Sequence, residues 1–110
     1  MIQETIQQLE KRIEKTETID NKEREELIGL LGTLKSEVLS LSKTHPEQAE
    51  SITGFAQVST HEAIRKEKDP QLLDLSVKGL TSSIKGFENS HPELVRIVNA
   101  ISVTLSNLGI

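Results

Sequence analysis

The chain is 110 residues long, has no cysteine, tryptophan or tyrosine, and carries a formal charge of −4. That length supports one domain, 1–110, able to bury roughly two thirds of its unfolded surface without staples, and the missing cysteine excludes disulfides, thiolate nucleophiles and thiolate zinc sites. An acidic chain with two phenylalanines as its only aromatics and no basic stripe is not expected to bind nucleic acid, which needs cations for phosphates and flat rings for bases.

The opening Met1-Ile2-Gln3-Glu4-Thr5 lacks the basic and apolar regions of a secretion signal. No apolar run approaches bilayer length, so a soluble cytoplasmic protein is expected. Ile2, Ile6, Leu9 and Ile13 then recur at spacings of four and three, a narrow seam on an otherwise charged first helix. Nearly balanced charge and the absence of an aromatic anchor argue against a membrane-surface role for that helix. Thr16 through Asn21 interrupts it, and Asp20 with Glu23 predicts a capping box for the next.

The second helix is predicted from about Lys22 to Lys43, with Leu27, Leu31, Leu34, Val38 and Leu41 in heptad register and Ile28 and Leu30 widening the stripe. A third begins at Thr44-His45-Pro46-Glu47 and turns Ala49, Ile52, Phe55, Ala56, Ala63 and Ile64 inward. Thr53-Gly54 and Val58-Ser59-Thr60 make it the poorest helix former of the set. Asp69-Pro70 starts a fourth, a cap followed by proline at the first helical position, with Leu73, Val77, Leu80, Ile84 and Phe87 as its seam. A fifth begins at Ser90-His91-Pro92-Glu93 and carries Leu94, Val98, Ile101, Leu105 and Leu108, with Val95 and Ile97 broadening the face. Gly109 is placed where a helix end favours a left-handed residue.

Two of these units are one pattern used twice. The offset that lays Thr44-His45-Pro46-Glu47 on Ser90-His91-Pro92-Glu93 also lays Leu27 on Leu73, Leu31 on Val77, Leu34 on Leu80, Val38 on Ile84, Leu41 on Phe87, Ile52 on Val98 and Phe55 on Ile101. The expected fold is therefore all-α, an antiparallel bundle of about five helices built from two related helix–corner–helix units. Within it, 1–43 forms a charged hairpin, 44–68 an additional helix and 69–110 a C-terminal pair. Ser or Thr three residues before Glu makes each repeated box a candidate capping box, with the proline forcing the preceding helix to end.

Chemistry has few carriers. His45, Glu47, His91 and Glu93 contain ligand types that suit zinc or iron, and would form a metal site if the two corners met. The spacing within each corner fits capping better than ligation, and His61 beside Glu62 reads as a surface residue. No nucleophile elbow, phosphate-binding loop or dinucleotide fingerprint is present, and paired acids such as Glu25-Glu26 belong to a solvated face. No enzymatic activity and no cofactor are expected. The expected role is an interaction or assembly module, self-associating as a homo-oligomer or joining another helical protein. Its interface candidates are Ile2, Ile6, Leu9, Ile13, Leu27, Leu31, Leu34 and Val38. On that expectation Leu9→Glu dissociates an assembly and leaves its helices intact. The C-terminal pair, apolar around much of each helix, needs cover on more than one side, from the first helices or from a second copy.

The ending also carries a resemblance. Phe87-Glu88-Asn89-Ser90-His91-Pro92-Glu93-Leu94, followed by Leu105-Ser106-Asn107-Leu108-Gly109-Ile110, resembles the close of a family of small bacterial helical proteins grouped as a domain of unknown function, with the pattern F-E-x-S-H-P-x-L and a final L-x-N-x-G-I. The resemblance implies a small all-helical bacterial protein with no established activity. It also implies that 44–68 is an addition relative to shorter members.

Overall fold

A computed structural model describes residues 1–109, and Ile110, the last residue of the closing pattern, lies outside them. Five helices follow one another: α1 (Ile2–Lys15), α2 (Asn21–Ser42), α3 (Pro46–Ile64), α4 (Pro70–Ser83) and α5 (Pro92–Leu108). No strand occurs among the described residues, and no helix is long and apolar enough to cross a membrane. The bundle measures 37 × 25 × 21 Å.

Local chemistry sets most of the boundaries. Asp20 accepts from the Glu23 backbone N–H at 2.8 Å while the Glu23 carboxylate accepts from the Asp20 N–H at 2.9 Å, the reciprocal box predicted for α2. Asp69 accepts from the N–H groups of Gln71 and Leu72, with Pro70 at the first helical position. The open C-terminal carbonyls of α1 are met from α2: the Arg24 guanidinium donates to Ile13, to Thr16 at 2.9 Å and to Ile19 at 3.2 Å. One side chain thus satisfies a helix end and pins the loop that follows it.

α3 lies centrally, packed against all four other helices. Its poor propensity is the price of that position. Thr53, Ser59 and Thr60 are buried, and being small they let neighbouring backbones approach. Thr53 returns its hydroxyl to the Ala49 carbonyl at 2.8 Å and Ser59 to the Phe55 carbonyl at 2.7 Å, so the helix satisfies them itself.

Three expectations are corrected. α4 stops at Ser83, so Ile84 and Phe87, predicted to be helical, are buried in the connection beyond it. The cause is Gly86, whose φ of +96° no continuing helix accepts. Its counterpart in the repeat, Ser40, lets α2 run on to Ser42. Gly109 is not left-handed, having φ −82°. Its lack of a side chain serves close approach instead, because a Cβ there would collide with Leu73.

The third correction concerns the interface. Ile2, Ile6, Leu9, Ile13, Leu27, Leu31, Leu34 and Val38 are all buried within the single chain. The α1 seam closes on α2 and α3, so these side chains are used in the core of the single chain. Leu9→Glu would place a carboxylate where Leu9 is 4% exposed, with no partner charge in an apolar setting. The expected outcome is loss of the far-UV circular dichroism signal at ambient temperature, or a large fall in urea midpoint, rather than a smaller but still helical particle.

Candidate functional site

The two proline corners have nearly the same backbone. His45 has φ −134° and ψ 66°, and His91 has φ −137° and ψ 63°. A proline excludes the helical region for the residue before it, so each histidine is the last non-helical residue and the helix starts at Pro46 or Pro92. The cap is therefore the histidine, one position later than the capping-box reading placed it. Neither corner has a side-chain cap bond. Thr44 and Ser90, now one residue too early, turn their hydroxyls to the neighbouring imidazole Nδ1 at 2.8 and 2.9 Å. Each histidine N–H donates to the carbonyl four residues back, Leu41 or Phe87, at 2.8 Å in both cases.

The fold brings the two corners together. The His45 and His91 rings stand edge to face with centroids 6.1 Å apart, and both meet Phe87 edge-on at 5.4 Å. Both histidines are half-buried and Phe87 is buried, so the joint between the repeated units is a three-ring cluster. The glutamates do not join it. Glu93 is held by Arg96, whose hydrogen bond keeps its carboxyl below the usual carboxylate range. Glu47 lines a groove between α3 and α4. No group of three or more metal-competent side chains gathers among the described residues. His61 is exposed beside the Glu62–Arg65 pair.

A second feature was missed by sequence reasoning. Phe55, assigned to the inner face of the third helix, is 41% exposed. It sits on the outside of the α3–α4 pair with Val58 (49%), Leu72 (42%) and Leu75 (67%). With Glu62 and Ser76 these residues line a shallow groove of about 190 Å³. On the other side of Phe55 the seam continues as a more polar groove of about 420 Å³ lined by Glu47, Gln48, Ser51, Gly79, Ser82 and Ser83. Phe55 lies against Gly79 so closely that a Cβ there would strike the ring. The available signal was Leu72 and Leu75, spaced by three and off the Leu73–Val77–Leu80 stripe, which gives α4 two apolar faces. One is buried and the other is open.

A family model described as a domain of unknown function (DUF4404) matches residues 29–110. The match takes in 44–68 and leaves α1 and the first turns of α2 outside. No curated protein and no solved structure matches the chain.

The ring cluster has a measurable energy. In a double-mutant cycle of His45→Ala and His91→Ala, followed by urea unfolding, the two losses should fall short of additivity by roughly 0.5–1.5 kcal/mol, the size of an edge-to-face aromatic contact. Strict additivity would mean that the rings are neighbours without being partners.

Proposed function

Because the chain belongs to the family of the domain of unknown function DUF4404, whose description carries no activity, we infer its role from its surface: a non-catalytic helical interaction module that docks a protein partner on the outer face of α3 and α4. The observation that carries this reading is the contiguous exposure of Phe55, Val58, Leu72 and Leu75. Single exposed leucines are ordinary, but an aromatic and three aliphatic side chains lining one groove make a patch of the kind that proteins cover. At one end of it the Phe55 ring lies against Gly79, and aromatic side chains are enriched at protein contacts.

The patch also supplies a partner's needs in kind. An apolar groove between two helices accepts an amphipathic helix through residues spaced by three and four. The neighbouring polar groove, with Ser51, Ser82 and Ser83 in its walls, offers hydroxyls at the rim.

A photoreactive phenylalanine analogue at Leu75, irradiated in cells that naturally make the protein, is expected to yield a discrete protein adduct. The same analogue at Glu25, exposed on α2, should yield none. Equal labelling from both positions, or none from Leu75, would count against a docking surface.

A further inference from the structure

We propose that the polar groove at the far end of the α3–α4 seam binds an organic cation, an ammonium group on a short aliphatic chain, between the Glu47 carboxylate and the Phe55 ring. This site is independent of whatever covers the apolar groove beyond the ring.

Charge sets the sign of the ligand. The groove lies where α3 begins and α4 ends, since Glu47 and Ser51 from the first turns of α3 share it with Gly79, Ser82 and Ser83 from the last turns of α4. Glu47 is the only charged residue among those lining it, and no ion pair among the described residues includes it. Lys78, next to Gly79 on α4, is held by Asp74 at 2.9 Å. The positive end of α3 offsets only about half of the Glu47 charge. α4 has no basic residue in its last turn, so the partial negative charge of its final carbonyls has no cation in that turn to meet it. A carboxylate beside an open helix C-terminus attracts a cation and repels an anion.

The remaining walls select an ammonium over a metal ion. One carboxylate is a poor cage for calcium, which takes roughly six to eight oxygen ligands, and no group of three or more metal-competent side chains gathers among the described residues. An ammonium needs less: one charge-assisted bond to a carboxylate, hydroxyl oxygens for its other N–H groups and an aromatic ring for its charge. Ser51 and Ser82 are exposed. Neither returns its hydroxyl to its own helix as Thr53, Ser59, Ser76 and Ser83 do, so both oxygens are free to accept. The Phe55 ring closes the groove, seated against α4 because Gly79 has no Cβ, and it is 41% exposed to a ligand. The volume of about 420 Å³ falls among those of small-molecule sites.

One charge-assisted bond in an open groove gives an expected Kd of about 0.1–10 mM. The two phenylalanines of the chain make the test specific to the site. With 4-fluorophenylalanine at both positions, fluorine NMR reads position 55 in the groove and position 87 in the buried ring cluster at once. Titration with 1,4-diaminobutane should move the signal from position 55 along a saturable curve and leave that from position 87 in place. The affinity should fall as salt rises. Neutral 1,4-butanediol, of the same length, should move neither signal. Glu47→Gln should weaken the diamine about tenfold, the loss of one charge-assisted bond. Glu25→Gln, equally exposed but on α2, should leave its affinity unchanged. The site is overturned if the position-55 signal stays in place up to about 50 mM diamine. It is equally overturned if the diol moves that signal as far, if position 87 follows it, or if the Glu47→Gln chain binds as well as wild type.

Discussion

The molecule is organised around a helix with little side-chain bulk on its inner surface. α3 turns Ala49, Thr53, Ala56, Ser59, Thr60 and Ala63 inward together with Ile52, Glu62 and Ile64, and the many small side chains help four other helices to pack around it. The chain has no cysteine and only two phenylalanines, few of the residues that small domains use to gain stability. Close approach of many aliphatic side chains to a thin central helix replaces them. The cost appears at Thr60, whose buried hydroxyl has no partner among the described residues. A group left unpaired in that way forfeits about 1–3 kcal/mol. Closer packing of the neighbouring helices, which a threonine permits and a leucine would not, offsets it.

The duplication supplied two equivalent units, and packing made them unequal. α2 and α4 end differently because Ser40 and Gly86 differ. The early stop of α4 frees Phe87 to lie across the joint, where Leu41 occupies the matching place in the first unit. Yet both units re-enter their next helix through the same backbone turn, each histidine N–H bonded four residues back. Conserving the corner while varying the approach gives two helix pairs that meet at their corners, with imidazoles and a phenyl ring filling the junction. That junction needs the histidines for their rings and their backbone. Their Nδ1 atoms are engaged by the adjacent hydroxyls, Glu93 is held by Arg96, and Glu47 lines the α3–α4 groove instead.

Signals confined to a few neighbouring residues were legible in advance. The Asp20–Glu23 box, the Asp69–Pro70 start, the five helices and the buried heptad stripes all follow from spacing and cap chemistry. The corners were read one residue out of place, because Thr44 and Ser90 look like caps until the proline is assigned to the first helical position. The seam of α1 was seen correctly as a seam. Whether it faced a partner or its own chain depends on how five helices are arranged in space, and periodicity along a single helix carries no information about that. Phe55 failed for a related reason. It matches Ile101 in the repeat, and Ile101 is fully buried, but α3 is surrounded differently from α5 and the matched position points outward.

That outward position bears on the proposed docking surface. An isolated monomer would gain from alanine at position 79, since glycine inside a helix costs roughly 1 kcal/mol. It would also gain solubility from a polar residue at position 55. The two choices are linked, because a Cβ at position 79 would displace the ring. Together they seat one of only two phenylalanines in the chain where solvent reaches it, between the apolar and the polar groove of the α3–α4 seam. Both local losses become gains once the ring is covered, for then the glycine holds a buried aromatic anchor flat against α4.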